Sequence, residues 1–428
     1  MATTTKTNEK LDAKAWALKL NKDFKAKTLV QFADVAPAYT RISTGALGFD
    51  YPLYGGFVLG RIAVFTGKEH SGKTTAATLA LAAYQREFPD RTCLYVDVEQ
   101  AMDWQFQAIA NGIDLSKVAI LNSVTDNGDI MSDKQILATI LDFEQNVENP
   151  GLIVLDSVPA LISAADLGDD FEADKGMRAS SAASLQKFLK EIQPLLFRYQ
   201  NTMIVINQLR VSGKTFTGAP IYSEPGGAYL KYASTISIRF GTRTFTKGDD
   251  MDSGNDGEGS DGFRIKFKIT KNKTAACNRG GGFITYRYLT GRDDLTDLFD
   301  IGCQFNFIKA ESKVTYVLTN LTTGEIYEDP KSLEQIARGE KPDWKDGILR
   351  GYKKDLKEYL RQHPDFMEEF YDMLKQHINA SNTLTSLLTA EESAEIDAEE
   401  KASEKAIAEE KKKLEEQGLE VSATSVGA

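Results

Sequence analysis

Nine consecutive residues, Gly67-Lys68-Glu69-His70-Ser71-Gly72-Lys73-Thr74-Thr75, carry the most legible chemistry in this chain. Glycine, four residues, glycine, lysine and a hydroxyl residue is the spacing that cradles a phosphate chain. The glycines let consecutive backbone N–H groups wrap a pyrophosphate, Lys73 can reach the β- and γ-phosphates, and the Thr74 hydroxyl can hold Mg2+. At ordinary glycine usage, chance produces this pattern in only about one or two per cent of chains this long. Arg61 to Thr66 before it reads as a buried strand, and Thr75 to Tyr84 after it as a helix. Strand, glycine loop and helix N-terminus together make an anion site. The segment predicts a nucleoside triphosphate site.

Three further positions could complete a hydrolase. Asp156 ends the apolar run Leu152 to Leu155, where a carboxylate can reach Mg2+ through water. An aspartate at a strand end is also a common helix cap, but a phosphate loop requires a magnesium partner, which favours the metal role. Glu99, in Asp97-Val98-Glu99, closes the strand that follows the phosphate-loop helix. A carboxylate there is a candidate to orient and deprotonate the attacking water. Gln208, in Ile206-Asn207-Gln208-Leu209-Arg210, could sense a γ-phosphate, although alone it reads as an ordinary strand-end polar residue.

These residues need a scaffold. Short apolar runs at Thr92–Asp97, Leu152–Leu155 and Thr202–Ile206 are of the kind that fills parallel sheets, with helices expected around 132–147 and 180–198 between them. Ser234–Phe240, Phe263–Thr270 and Phe283–Leu289 read as later meander strands. The fold class is therefore α/β with a mostly parallel central sheet. Leu11 to Leu29 reads as an amphipathic helix with Leu11, Ala15 and Leu18, and Trp16 beside them, on its apolar side. It is either a cap on its own domain or an arm for a neighbour. Residues 38–296 are the expected core, 297–380 a smaller α+β domain with a break at His363-Pro364, and 381–428 an acidic tail, solvated or disordered. From Arg210 to Tyr229 no element is evident. Together with Ala164 to Arg178 it forms a pair of long loops following strands that carry site candidates. Loops this long inside a domain are functional or disordered.

Composition narrows the partners. The formal net charge is −11, but residues 391–428 carry 12 acidic and 5 basic side chains, and Lys247–Gly262 carries 6 and 1. Setting those two segments aside leaves the body at +1, compatible with a local phosphate-binding groove. The scattered Cys93, Cys277 and Cys303 suit reduced core residues. Neither a secretory leader nor an apolar run of about 18 residues is evident, so a cytoplasmic protein with no membrane partner is expected.

With these motifs in place, the chain resembles the bacterial and phage RecA recombinases. The resemblance rests on Ile42-Ser43-Thr44-Gly45, Asp50, Gly60-Arg61-Ile62, the phosphate loop, and Asp97-Val98-Glu99-Gln100-Ala101-Met102-Asp103. It continues through Leu155-Asp156-Ser157-Val158, Ile206 to Arg210, Gly226-Gly227 with Leu230-Lys231, and Lys271-Asn272-Lys273, in the family's order and near its spacing. It implies a RecA-type ATPase core with an N-terminal helical arm (1–37), forming helical homo-oligomeric filaments on single-stranded DNA and exchanging strands with homologous duplex. By position it implies Glu99 as the catalytic glutamate, Lys73, Thr74 and Asp156 as phosphate and magnesium groups, and Asp103 and Phe106 at the adenine. Gln208 would link γ-phosphate to the second DNA loop, and Lys271 and Lys273 would reach ATP on the neighbouring subunit. DNA contacts would come from Arg178 and Lys187 around the first loop, and from Arg210, Lys214, Phe216, Gly226 and Gly227 around the second. Phe106 stands where the family often has tyrosine, the first loop is unusually acidic, and one residue is missing after Lys231. Two rivals stay open here: a ring-forming motor on the same core, and a non-catalytic ATP-binding regulator. The Lys271/Lys273 pair and the N-terminal arm favour the recombinase.

Overall fold

The computed structural model describes residues 12–26, 29–30, 32, 39–164, 166–167, 177–214, 220–223, 225–247, 250–251, 259–275, 279–320, 323–380 and 386–398. The chain divides into two compact units, Met1–Thr40 and Arg41–Ala428. The first contains α1 (Ala13–Asp23), whose N-cap Asp12 accepts the Lys14 and Ala15 N–H groups. The helix is shorter than the expected 11–29. Lys25 takes a positive φ of 51°, and the Asn21 side chain turns to pair with both the N–H and the carbonyl of Val30. Ala17 is its buried residue, whereas Trp16 and Leu18 are exposed. The expected Leu11/Ala15/Leu18 face is therefore not the covered one, and Leu11 itself lies outside the described residues.

The second unit opens with β1 (Arg41–Ile42), α2 (Leu47–Asp50) and β2 (Phe57–Val58), the two strands pairing antiparallel. Strands and helices then alternate: β3 (Ile62–Gly67), α3 (Lys73–Glu87), β4 (Thr92–Asp97), α4 (Trp104–Asn111), β5 (Val118–Asn122), α5 (Asp133–Asn146), β6 (Pro150–Asp156), α6 (Met177–Tyr199) and β7 (Met203–Gln208). The stretch expected to lack elements instead forms a hairpin, β8 (Arg210–Lys214) with β9 (Pro220–Ser223), followed by α7 (Gly227–Ala233). In the backbone register Val211 is opposite Tyr222 and Gly213 opposite Ile221, so residue types that favour strands stand among the glycines and prolines that disguise the hairpin in the sequence. The core ends with β10 (Ile236–Phe240), β11 (Thr244–Lys247), β12 (Asp250–Met251), β13 (Gly262–Asn272), β14 (Gly281–Arg287) and β15 (Gly291–Arg292).

The central sheet runs β12-β11-β13-β10-β3-β7-β6-β4-β5, with β14 also on β13 and β15 on β14. From β10 to β5 every pairing is parallel, and β13 joins β10 antiparallel. Period-2 alternation sorts its side chains into two cores. Ala63, Phe65, Tyr95, Val154, Ile204 and Ile206 pack with α3, and Ile62, Val64, Leu94, Val96, Ile153 and Val205 pack with α5 and α6. A parallel sheet covered on both faces explains why these strands read as unbroken apolar runs.

Beyond the sheet lie α8 (Asp294–Gln304), β16 (Ile308–Ala310), β17 (Thr315–Leu318), α9 (Pro330–Ala337), β18 (Arg350–Tyr352), α10 (Lys353–Gln362), α11 (Pro364–Ala380) and a helix α12 over 390–398. β16, β17 and β18 form a small antiparallel sheet. The break between α10 and α11 falls at His363 as expected. Residues 386–398 are not a solvated tail. Leu387, Leu388 and Ile396 are buried, Gln304 donates to the Leu387 carbonyl at 2.9 Å, and Lys266 and Lys268 on β13 pair with Glu392 and Asp397. Sparse apolar residues dock because basic side chains on the sheet face their acidic neighbours, a contact that hydrophobic periodicity does not register. No described helix is long and apolar enough to cross a membrane. Leu387→Ala is expected to lower unfolding stability by about 2–4 kcal/mol, and Leu289→Ala, at an exposed site, by less than about 0.5 kcal/mol; urea denaturation measures both.

Candidate functional site

The carboxyl ends of four neighbouring strands meet at one place. Gly67 at the end of β3 is in register with Gln208 at the end of β7, and Asp156 at the end of β6 with Asp97 at the end of β4. Open parallel sheets bind ligands at such strand ends. The expected strand-loop-helix unit is present, from β3 through residues 68–72 into α3. Gly72 is N-cap with a φ of 90°, and a Cβ there would stand 2.6 Å from the Ile265 side chain. A Cβ on Gly67 would meet the Ser71 Oγ at 2.7 Å and the Phe240 carbonyl at 2.8 Å. Space requires both glycines, and the positive φ adds a conformational requirement at Gly72. No side chain caps α3 and its first turn holds no acid, which leaves its leading N–H groups suited to an anion.

Lys73 begins α3 and is buried. Its ammonium donates to the carbonyls of Gly67 (3.1 Å) and Lys68 (2.6 Å) and to the Ser71 Oγ (3.3 Å). Burial pulls its pKa down to about 8, against the opposing pull of Asp156, Glu99 and Glu69. Thr74 Oγ1 donates to Asp156 Oδ2 at 2.9 Å, and the Tyr95 hydroxyl donates to the same oxygen at 2.7 Å. Burial lifts the Asp156 carboxyl to about 6; the Tyr95 and Thr74 bonds lower it, while Glu99 and Asp97 push it up. The Thr74 hydroxyl and Asp156 carboxylate are hard oxygen donors of the type Mg2+ takes, and a cation beside them would relieve the repulsion among the carboxylates. The residues fit the metal. Of the remaining loop residues, His70 takes a positive φ of 58° and lies 3.6 Å from Glu69, with both side chains exposed, and Thr75 follows in the first turn of α3.

Glu99 lies just past β4 and is exposed, and its Oε1 accepts two donors. The Ser157 hydroxyl reaches it at 2.6 Å, and the Gln208 side-chain amide bonds the same atom. Gln208 therefore joins the candidate base to the strand that leads directly into the β8–β9 hairpin. The preceding Asn207 donates to the Pro225 carbonyl at 2.8 Å, which ties down the far side of the hairpin before Gly226 and Gly227 open α7. The Asp156–Ser157 peptide is cis.

Other expected positions are distributed differently. Asp103 is the N-cap of α4 and accepts the Phe106 N–H at 3.0 Å; Phe106 is exposed beside it. Lys271 and Lys273 are not brought to this chain's own phosphate loop. Asn272 pairs with Ile236, which pairs with Ala63 near the start of β3, four residues from Gly67 and so about 13 Å along the strand. Lys271 donates to the Lys231 carbonyl and Ser234 Oγ, and Lys273 to the Tyr232 carbonyl. Burial and its neighbour Lys273 lower the Lys271 pKa to about 8. Lys187 sits exposed on α6, 3.9 Å from Glu191. Arg178 falls on α6, and Arg210 and Lys214 on β8, by backbone position. Phe216 and most of 165–176 lie outside the described residues. Sequence reading gave no role to Tyr95 or Ser157. Tyr95 sits inside an apolar run, and only the β4–β6 register brings it beside Asp156.

A family model described as the RecA N-terminal domain matches residues 13–286. The protein named Protein RecA from Lactobacillus johnsonii is 27% identical over 363 residues, covering 84% of this chain and 86% of the relative. That from Nostoc punctiforme is 28% identical over 401 residues, covering 92% and 97%. That from Mesomycoplasma hyopneumoniae reaches 32% over 273 residues, covering 63% and 74%.

The loop geometry makes a specific demand. Gly72→Ala places a methyl in a left-handed conformation against Ile265, so strain of about 1–3 kcal/mol is expected at the anion cradle. Fluorescent nucleotide titration is expected to register a loss of affinity of at least about tenfold, with the far-ultraviolet circular dichroism unchanged.

Proposed function

This chain belongs to the RecA family of ATP-dependent DNA recombinases, and on that premise we propose how its own residues couple hydrolysis to DNA. Lys73 and the N–H groups opening α3 hold the β- and γ-phosphates, and Thr74 with Asp156 holds Mg2+, which when bound neutralises phosphate charge. Asp103 and Phe106 flank the adenine. Glu99 orients a water and takes its proton as the water oxygen bonds the γ-phosphorus and the bond to the β-phosphate bridging oxygen breaks. The carrying observation is the Gln208–Glu99 hydrogen bond, two residues ahead of the β8–β9 hairpin. A γ-phosphate that draws Gln208 away alters both the base and the hairpin, so occupancy of one site reports on the other.

DNA contacts come from Arg210, Lys214, Phe216, Gly226 and Gly227 in and after the second loop, and from Arg178 and Lys187 around the first. Cations and an aromatic ring suit backbone phosphates and base stacking. Lys271 and Lys273, far from their own phosphate loop, act on ATP held by the adjacent subunit, and this makes turnover depend on assembly. Residues 1–37 are the docking arm, 38–296 the core, 297–380 the smaller domain and 381–428 the acidic extension. A head-to-tail contact of this kind does not close and propagates into a helix.

Glu99→Gln is expected to keep ATP and DNA binding within about threefold and to lower DNA-stimulated hydrolysis at least about a hundredfold, since an amide positions water but is a poor base. Lys73→Ala instead weakens nucleotide binding itself. Steady-state hydrolysis with and without single-stranded DNA separates them, and parental turnover by Glu99→Gln would exclude it as the base. Deleting residues 1–33 is expected to abolish filaments and DNA stimulation together while weak nucleotide binding persists. Electron microscopy with parallel rate measurements checks this, and full stimulated turnover by a monomeric truncation contradicts the assembly model.

A further inference from the structure

We propose that Ser157 is the positioning residue for Glu99, holding one carboxylate oxygen so that the other faces the attacking water. Glu99 is exposed and its side chain has three rotatable bonds, so nothing in its own backbone fixes where the carboxylate points. Ser157 is the opposite: fully buried, with a short side chain, and set at the end of β6. The β4–β6 register brings the two together. Asp97 is opposite Asp156, and the Val98 N–H donates to the Asp156 carbonyl at 2.8 Å, which carries the pairing one residue past the strand ends. Ser157 then stands beside Glu99 and donates its hydroxyl to Oε1 at 2.6 Å.

Gln208 also donates to Oε1, and among the described residues no donor reaches Oε2. The two donors are not equivalent. Gln208 leads into a hairpin and leaves when it turns toward a γ-phosphate, whereas Ser157 is packed in the core and stays. Once Gln208 has gone, Ser157 alone keeps Oε1 engaged and Oε2 directed outward, and the water proton passes to Oε2. Ser157 itself neither gains nor loses a proton in the step.

This inference rests on the reading of Glu99 as the base, and the test keeps the two apart. Ser157→Ala is made in the parent chain and in the Glu99→Gln background, with Ser157→Cys, nearly isosteric and a weaker donor, beside it. In the parent background Ser157→Ala is expected to lower kcat for DNA-stimulated hydrolysis roughly tenfold or more, as loss of a charge-assisted hydrogen bond implies, with KM for ATP and DNA affinity within about twofold. Ser157→Cys falls between the two, and it decides alone if the alanine variant fails to fold. With Glu99 already replaced, Ser157→Ala changes the residual rate by less than about twofold, because its effect runs through the carboxylate. Equal losses in both backgrounds, or KM rising in step with the fall in kcat, mean a merely structural serine and overturn the proposal. Parental turnover by both Ser157 variants with Glu99→Gln inactive overturns Ser157 and leaves Glu99 standing. Parental turnover by Glu99→Gln overturns both.

Discussion

A buried ammonium near a buried carboxylate is the constraint on which this molecule depends. Lys73 is taken far enough out of water for its pKa to fall to about 8, and Asp156 far enough for its carboxyl to rise to about 6. Lys73 is tolerable because carbonyl and hydroxyl acceptors surround its ammonium and carboxylates stand near it, and Asp156 because Tyr95 and Thr74 donate to it. That requires four strand ends to be level and parallel, which in turn requires helices on both faces of the sheet. The two-sided core and the alternating strand-helix order follow from placing these charges together.

The same geometry separates two groups of conspicuous polar residues. Parallel strands gather the phosphate loop, Asp156, Glu99 and Gln208 at their carboxyl ends, while the antiparallel β13 delivers Lys271 and Lys273 toward the start of β3. A single antiparallel partner in a parallel sheet is enough to put two lysines out of reach of their own phosphate loop.

The junction between the sheet and the small antiparallel domain is held by charge as well as by packing. Arg264 on β13 pairs with Asp300 on α8, which also accepts Lys353 of α10 at 2.7 Å. Docking of residues 386–398 adds Lys266–Glu392 and Lys268–Asp397 on the same strand. One strand thus carries core packing, a domain junction and Lys271, so deformation of β13 reaches all three.

What the sequence determined by itself was the chemistry carried by contiguous residues. The phosphate loop, the strand-end Asp156 and the flanking strands and helices were legible because spacing and period-2 or period-3.6 patterning are local properties. The position of Gln208 was legible, but its bond to Glu99, 109 positions earlier, was not. Tyr95 lay within an apolar run and Ser157 had no role legible in the sequence, because their partners lie on neighbouring strands and only register names them. The β8–β9 hairpin was hidden among glycines and prolines, and the docking of 386–398 in an acidic, weakly apolar segment. Apart from the hairpin, the deciding energy is a contact between residues distant in the chain, and only the folded arrangement specifies which distant residues meet.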